Sequence, residues 1–326
     1  MRAACDLDTL AAGVRASRGL KAKRDIADAM RRLGVSGLDA VRVGDDCAAL
    51  ADADGYLLFA IEGFINEFVA HDPWFAGWCG VMVNVSDIAA MGGRPLAVVD
   101  ALWAAGARDA APILDGLRAA AATFAIPIVG GHTNVRAERA QLSVAILGRA
   151  KRLLTSFDAA PGDVLIAAID LRGRYREPFA NWEAATDAPA TRLRGDLEVL
   201  PAIAEAGLAK AAKDISQAGL VGTAAMLAEC SGVAISIEVD AVPRPATVPL
   251  ERWLMTFPSY GYLLTAKPAQ AASVLARFAE RSLAAAVIGT VSTGRDVAIV
   301  RQQRREVIWD FSASPLMGCA PLEAIG

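Results

Sequence analysis

The segment Asn84-Val85-Ser86-Asp87-Ile88-Ala89-Ala90-Met91-Gly92-Gly93 sets one carboxylate in an apolar stretch that ends in two glycines. Its surroundings, from Pro73 to Met91, predict a largely buried helix. An unpaired carboxylate is costly to bury, and Asp87 lies too deep in the segment to cap the start of the helix. A divalent metal ion accounts for Asp87 better, because Mg²⁺ takes carboxylate oxygens as ligands.

Two further segments place carboxylates among apolar residues. They are Val43-Gly44-Asp45-Asp46-Cys47-Ala48-Ala49-Leu50 upstream and Lys213-Asp214-Ile215-Ser216-Gln217-Ala218-Gly219-Leu220 downstream. The first also suits a turn between two strands. In the second, Ser216 also suits the N-cap of a helix, and capping and ligation can coexist. Three isolated carboxylates with neighbouring glycines together predict a magnesium-nucleotide site.

Two segments without acidic residues are also candidates for anion binding. Gly130-Gly131-His132-Thr133-Asn134 is either a tight turn or a place where backbone amides approach phosphate. Arg172, Arg174 and Arg176 form either a solvated loop or a bidentate site for phosphate or carboxylate, and we assign them to substrate binding. The chain has no Gly-Lys dipeptide and no three-glycine Rossmann fingerprint. A nucleotide site here therefore needs another architecture.

Composition limits the class of protein. The 326 residues are 54% hydrophobic and 21% charged, enough for two domains with sizeable cores. A net charge of -3 argues against broad nucleic-acid binding. The five cysteines show no metal spacing and predict reduced, mostly buried thiols. The first ten residues lack a signal core and the apolar runs are too short to span a bilayer, so we expect a cytoplasmic protein without membrane contact.

Strands mixed with helices in both halves predict two α/β or α+β domains, residues 1–150 and 151–326, with a boundary near Lys151 to Ala160 and a turn at Pro161-Gly162-Asp163. Predicted helices are Asp6–Leu33 (ending near Gly34), Pro73–Met91, Arg108–Phe124, Leu197–Leu208, Leu220–Cys230 and Ala269–Ser282. Predicted strands are Val41–Val43, Tyr56–Ile61, Pro95–Trp103, Ile126–Val129, Gln141–Leu147, Val164–Ile169, Val233–Val239 and Ala286–Val291.

Taken in order, these segments resemble the superfamily of aminoimidazole ribonucleotide (AIR) synthase and thiamine-monophosphate kinase, which includes selenophosphate synthetase and the hydrogenase-maturation dehydratase. Asn84–Gly92 is very close to the second metal-binding segment of the thiamine-monophosphate kinases, and Val43–Ala48 is similar to the first. Further similarities are the glycine turn at Gly130–Thr133, the domain opening at Pro161–Asp163, the metal-binding helix start at Asp214–Ser216 and the closing strand at Ile288-Gly289. The resemblance covers roughly residues 35 to 292, which is nearly the whole chain.

The resemblance implies an α+β fold, with an N-terminal domain whose mixed sheet forms a dimer-interface β-barrel and a C-terminal α/β sandwich domain. It implies a homodimer that uses ATP and Mg²⁺ on a small-molecule substrate. The implied metal ligands are Asp46, Asp87, Asp214 and Glu62. The implied nucleotide-site residues are Asp45, Asp46, Gly130, Gly131 and Ser216.

The chain departs from the thiamine-monophosphate kinase pattern at four places. Ile61-Glu62 replaces a Thr-Asp pair, His132 and Gln217 replace carboxylates, and Pro258-Ser259-Tyr260-Gly261-Tyr262-Leu263 lacks the acids of a late motif. His132 and Gln217 are closer to the selenophosphate synthetase and hydrogenase-maturation branches. Cys5 is too far from Lys21 to reproduce the cysteine-lysine arrangement of selenophosphate synthetase. The changes at His132, at Gln217 and in residues 258–263 remove negative charge that would balance a magnesium-phosphate cluster.

The function implied is an ATP- and Mg²⁺-dependent phosphotransferase that resembles thiamine-monophosphate kinase and has an altered substrate site. Such an enzyme works by positioning and charge neutralisation. One alternative is an ATP-dependent cyclo-ligase or substrate-activating enzyme like AIR synthase. Another is a nucleotide-binding subunit without catalysis. The residues do not identify the acceptor substrate.

Overall fold

The computed structural model describes residues 6–35 and 41–320; Cys5 lies outside them. Its helices are α1 Leu7–Ala16, α2 Arg18–Ala22, α3 Asp25–Leu33, α4 Asn66–His71, α5 Pro73–Ala90, α6 Ala107–Phe124, α7 Ala190–Leu197, α8 Val199–Glu205, α9 Gly219–Ser231, α10 Leu250–Trp253 and α11 Pro268–Ala279. Its strands are β1 Ala48–Asp52, β2 Gly55–Gly63, β3 Arg94–Trp103, β4 Ile128–Asn134, β5 Gln141–Ala150, β6 Val164–Ile169, β7 Arg174–Tyr175, β8 Asn181–Glu183, β9 Ala211–Asp214, β10 Ala234–Glu238, β11 Phe257–Pro258, β12 Gly261–Ala266, β13 Ala284–Ser292, β14 Asp296–Arg301 and β15 Arg304–Asp310.

One compact unit, which we call the five-stranded unit, combines Asp46–Leu153 with Asp187–Glu205. Its sheet has the order β1-β2-β5-β3-β4, in which β3 and β4 are parallel and the other neighbours antiparallel. Helix α5 packs against β2, β3 and β5, and α6 packs against α5. The unit is therefore a mixed sheet with one helix-covered face.

Helix α5 is the central element of this unit. The side chain of Asp72 caps its start by accepting a hydrogen bond from the Phe75 N–H at 3.2 Å, and Pro73 stands in its first turn. The Asn84 side-chain amide donates to the carbonyls of Gly80 at 2.8 Å and Val144 at 3.0 Å. The second bond ties the helix to β5, which fixes the position of the turn that carries Asp87.

The opposite face of the sheet is exposed and apolar. Along β2, Leu58 and Ala60 are buried on the helix side, whereas Phe59 and Ile61 are 52% and 66% exposed. The described strands form an open sheet with β1 and β4 at its edges, and they close no barrel. The expected dimer-interface β-barrel is thus not shown by the single chain, although the α+β class is.

The second compact unit, which we call the seven-stranded unit, combines the chain up to Asp45, Leu154–Thr186 and the chain from Ala206 onwards. Its main sheet has the order β15-β14-β10-β13-β6-β12-β9, and β10 and β14 are its parallel pair. Helix α9 packs against β9, β10, β12 and β14, and α11 packs against β6, β12 and β13. A small sheet of β11, β8 and β7 lies beside them in the same unit.

The compact units are not two contiguous halves. The three N-terminal helices belong to the seven-stranded unit, and residues 187–205 belong to the five-stranded unit. The division at residues 150 and 151 stays a prediction. In the part of the chain that the structure describes, no helix is long and apolar enough to cross a membrane.

Most predicted elements are present, and four differ. The strand expected at Val41–Val43 is absent, and the first strand is β1. The predicted helix Asp6–Leu33 is split into three, because Ser17 caps a new helix by accepting from the Leu20 N–H. Residues Leu197–Leu208 contribute to two short helices, α7 and α8. Gly130 and Gly131, for which a tight turn was one of two interpretations, lie inside β4.

Candidate functional site

Two carboxylates predicted as metal ligands meet in the five-stranded unit. Asp46 is half-buried just before β1, and Asp87 is 5% exposed in the last turns of α5. A carboxylate oxygen of each lies within 4.8 Å of the other. Two like charges this close repel each other in a partly buried setting. A divalent cation between them would offset that repulsion with its preferred oxygen ligands.

Asn84 lies one turn before Asp87 on the same face of α5. Its amide nitrogen is used by two carbonyls, whereas its Oδ1 is buried and has no hydrogen-bond partner among the described residues. A buried acceptor in this state is suited to a cation or a donor group. Asn84 was not predicted as a site residue from the sequence, although its three-residue spacing to Asp87 was a signal.

Glu62 lies on β2 and shares its strand face with Leu58 and Ala60, the side covered by α5. It is half-buried. Among the described residues, Glu62 does not join the close group that contains Asp46 and Asp87. The structure therefore brings together two of the predicted acidic ligands of this unit and keeps the third farther away.

Gly130 and Gly131 lie exposed on β4, which pairs with β3 alone in the described part of the chain. Gly131 is opposite Asp100, and a Cβ added to Gly131 would lie 2.6 Å from Asp100 Oδ1. His132 follows on the same strand, and its ring centroid lies 5.7 Å from that of Trp103. An edge strand with two glycines leaves room for a bulky anion beside the backbone.

Asp100 was missed by the sequence reasoning. Burial raises the pKa of this carboxyl above its ordinary value, and its Oδ2 is buried without a hydrogen-bond partner among the described residues. The signal was a single acid in the apolar strand Val98-Val99-Asp100-Ala101-Leu102. Its contact with Gly131 makes it a further acidic group beside the candidate nucleotide strand.

Asp45 belongs to the seven-stranded unit and has an anchoring contact there. Its carboxylate accepts hydrogen bonds from the Ser156 N–H at 2.9 Å and the Ser156 hydroxyl at 2.7 Å. The buried Lys213 ammonium donates to the same hydroxyl at 3.4 Å. Lys213 was not singled out from the sequence, although a lysine in the apolar strand β9 is itself a signal.

Asp214 ends β9 and is 4% exposed. The following Ile215 N–H donates to the Gly261 carbonyl at 2.8 Å, which fixes the exit of the chain from the strand. Ser216 is not the N-cap of α9: the cap residue is Ala218, so the capping interpretation is wrong. The Ser216 hydroxyl oxygen is buried and has no hydrogen-bond partner among the described residues.

The arginine segment forms part of the small sheet. Arg172 binds the buried Asp170 in a bidentate pair, with Nε 2.7 Å from Oδ1 and Nη2 3.1 Å from Oδ2. Arg174 is exposed in β7, and the Arg176 N–H donates to the Asn181 carbonyl at 2.9 Å. Arg172 is thus held by a carboxylate of its own chain.

Comparison with known proteins defines the family. The profile of the AIR synthase related protein N-terminal domain matches residues 44–150, and that of its C-terminal domain matches residues 175–302. An uncharacterised protein of Synechocystis sp. is 45% identical over 306 residues, covering 92% of this chain and 94% of the relative. An uncharacterised protein of Methanocaldococcus jannaschii is 33% identical over 283 residues, covering 86% of this chain and 87% of the relative. The chain belongs to the AIR synthase-related family, and the resemblance predicted from its motifs is confirmed.

Relatives with named activities are more distant. The thiamine-monophosphate kinase of Pyrococcus horikoshii is 28% identical, covering 84% of this chain and 91% of the relative. The structure of AaThiL complexed with AMPPCP and TMP matches with a TM-score of 0.65 at 23% identity, covering 87% of this chain and 96% of that one. T. maritima PurL complexed with ATP matches with a TM-score of 0.73 at 21% identity, covering 97% of this chain and 52% of that one. The chain spans about half the length of the PurL chains, and these two likenesses establish the fold.

Proposed function

We propose that the protein is an ATP- and Mg²⁺-dependent phosphotransferase that resembles thiamine-monophosphate kinase and acts on a different small molecule. The observation that carries the proposal is the close approach of Asp46 and Asp87, in the two segments that resemble the metal-binding segments of the kinases. The AaThiL relative binds AMPPCP and TMP, and the PurL relative binds ATP, which supports nucleotide use in this fold.

The residues present fit the implied metal ion. Asp46 and Asp87 supply carboxylate oxygens, and the buried Asn84 Oδ1 offers a further acceptor beside them. We propose Asp214 as the third acidic ligand and Ser216 as its supporting hydroxyl, on the basis of their burial and of the family resemblance. Glu62 would reach the ion through its longer side chain. Bound Mg²⁺ would neutralise phosphate charge during transfer.

Other residues are proposed to hold the nucleotide and the acceptor. Backbone amides near Gly130 and Gly131 would approach the phosphates along the edge of β4. Asp45, anchored by Ser156, would hold the chain that leads into Asp46. Arg174 and Arg176 would contact an anionic acceptor. Arg172 would contact it through the part of its guanidinium that does not bind Asp170.

A second candidate is an ATP-dependent cyclo-ligase or substrate-activating enzyme. The likeness to T. maritima PurL over 97% of this chain favours it, as does the loss of the acids that thiamine-monophosphate kinases carry. A nucleotide-binding subunit without catalysis is the third candidate.

Calorimetric titration with ATP and AMPPCP, with Mg²⁺ and with EDTA, tests nucleotide binding. Micromolar binding that requires Mg²⁺ is expected. Absence of binding in both conditions overturns both enzymatic candidates and the nucleotide-binding subunit. Turnover of small phosphorylated metabolites separates the first two, because a kinase leaves phosphate on the acceptor, whereas a cyclo-ligase releases ADP and phosphate together with a cyclised product. Binding without turnover in such a screen favours the third.

We also propose that the protein is a cytoplasmic homodimer joined through the exposed face of the five-stranded sheet, where two sheets would complete the barrel. That face carries exposed apolar side chains, namely Leu50, Phe59, Ile61, Val99 and Leu147. Light scattering coupled to size-exclusion chromatography should give twice the chain mass. Ile61→Lys should give the monomer mass; a wild-type monomer at high concentration contradicts the proposal.

A further inference from the structure

Two thiols of the seven-stranded unit are buried side by side. Cys230 lies near the end of α9, and Cys319 lies in the segment that follows β15; they are 0% and 2% exposed. Both are free thiols. Their sulfur atoms are close neighbours, because each lies within 3.1 Å of the Cβ position built on Gly44. The candidate phosphotransfer chemistry uses neither of them.

Further contacts define the surroundings of this pair. The Cys230 thiol donates to the Gly44 carbonyl at 3.5 Å, and Cys319 Sγ lies 3.4 Å from Met30 Sδ. A Cβ added to Gly44 would lie 2.7 Å from Cys319 Sγ and 3.1 Å from Cys230 Sγ. Both sulfur atoms therefore face the same side of the Gly44 backbone, where a larger residue would separate or displace them.

The residue next to Cys230 holds Cys319 in place. The buried carboxylate of Glu229 accepts three backbone hydrogen bonds, from Leu316 at 2.8 Å, Met317 at 2.7 Å and Gly318 at 3.1 Å. These charge-assisted bonds attach the segment after β15 to the end of α9. The contact between the two thiols is thus fixed by a carboxylate and does not depend on the sulfur atoms themselves.

The electrostatic setting makes the two thiols unequal. The neighbouring Cys230 lowers the pKa of Cys319 against the opposing effect of burial, while the neighbouring Cys319 and burial raise the pKa of Cys230 well above its ordinary value. The positive charge of Lys213 favours the thiolate at both positions. A thiol with a lowered pKa beside a second thiol is suited to disulfide formation, because the thiolate it forms is the nucleophile and the second thiol resolves the intermediate.

We propose that Cys230 and Cys319 are a thiol-oxidation site that closes to a disulfide between α9 and the segment after β15 when the protein meets a peroxide. The Cys319 thiolate attacks one peroxide oxygen, the O–O bond breaks, and hydroxide leaves and takes up a proton as water. Cys230 then attacks the sulfur of the resulting sulfenic acid and releases a second water. Two thiols and one hydrogen peroxide thus give one disulfide and two waters.

Peptide mapping of the oxidised full-length protein tests the proposal. The folded protein is treated with hydrogen peroxide, denatured, alkylated without reductant and digested. We expect one cross-linked species joining the peptides of Cys230 and Cys319, lighter than the two separate peptides by two hydrogen atoms and lost on reduction. Cys79, also buried, should be recovered alkylated and unlinked.

Matched variants identify the pair. Cys230→Ser and Cys319→Ser should each abolish the cross-link, and Cys319 should accumulate as a sulfenic acid in Cys230→Ser, detected by dimedone labelling. Cys79→Ser should leave the cross-link unchanged. Recovery of both Cys230 and Cys319 as alkylated thiols after oxidation, or a cross-link of either to another cysteine, overturns the proposal. None of these readouts depends on nucleotide binding.

Discussion

The carboxylate of Asp45 accepts two hydrogen bonds from Ser156, one from the backbone N–H at 2.9 Å and one from the hydroxyl at 2.7 Å. Its neighbour Asp46 belongs to the other compact unit and lies within 4.8 Å of Asp87. Two consecutive and chemically identical side chains therefore have different surroundings. The first is held by Ser156, and the second belongs to the candidate metal site.

Replacement of Asp45 should lower stability. Asp45→Asn puts an amide where a carboxylate accepts two donors, so we expect a loss of about 1–3 kcal/mol in the free energy of unfolding, measured in urea without added metal. Asp46→Asn is the matched control and should change this free energy by less than about 0.5 kcal/mol. An equal loss in both variants would remove the distinction between the two residues.

Replacement of Asp87 should act on binding. Asp87→Asn keeps the shape of the side chain and removes one of two close negative charges, so the melting temperature in EDTA should stay within about 2 °C of wild type. Affinity for Mg²⁺-ATP should fall at least about tenfold by calorimetry. A large loss of melting temperature with unchanged affinity would instead make Asp87 a structural residue.

The two glycines of β4 should differ in their tolerance of alanine. A Cβ at Gly131 would lie 2.6 Å from Asp100 Oδ1 and 2.7 Å from the Asp100 backbone carbonyl, which cannot rotate away. Gly131→Ala should therefore cost about 1–3 kcal/mol in urea unfolding. At Gly130 the nearest atom is 3.9 Å away, and Gly130→Ala should cost little. Equal costs would contradict the close approach of β3 and β4.

The ion pair of Arg94 and Glu205 predicts acid sensitivity in the five-stranded unit. The hydrogen bond from Arg94, 2.7 Å long, holds the pKa of Glu205 below its ordinary value of 4.5. The stabilisation is present above that value and is lost as the pH falls through the lower, folded-state pKa.

Glu205→Gln should therefore be less stable than wild type at pH 7 by less than about 1 kcal/mol, because the pair is partly exposed. The free energies of unfolding of the two proteins should become equal once the pH is below the lowered, folded-state pKa of Glu205, when unfolding is followed across pH at low salt. Glu198→Gln, at a more exposed partner of Arg94, should show a smaller difference. A constant difference across the pH range would exclude the ion pair as its cause.

The sequence was most informative where a residue type conflicts with its local surroundings. Asp87 in an apolar helix and the acidic pair before β1 indicated the candidate metal site, because burying a carboxylate needs a compensating group. The same reasoning applied to Asp100 and Lys213 would have marked them, since each is a charged residue in an apolar strand. It misplaced the strand at Val41–Val43 and left a tight turn open as one of two interpretations of Gly130-Gly131, because neighbouring strands decide whether a glycine-rich stretch is extended.

By itself the sequence determined the family, the α+β class and the segments that carry the acidic residues, because helical and strand periodicity and glycine placement are local properties. Only the tertiary structure decided which of these side chains meet. It places Asp46 close to Asp87. It also joins Asp45 to Ser156 by hydrogen bonds and pairs Arg172 with Asp170. It also placed Cys230 beside Cys319, 89 residues apart in the chain, through the carboxylate of Glu229. Such pairings depend on packing across strands and helices distant in sequence, which local patterns do not encode.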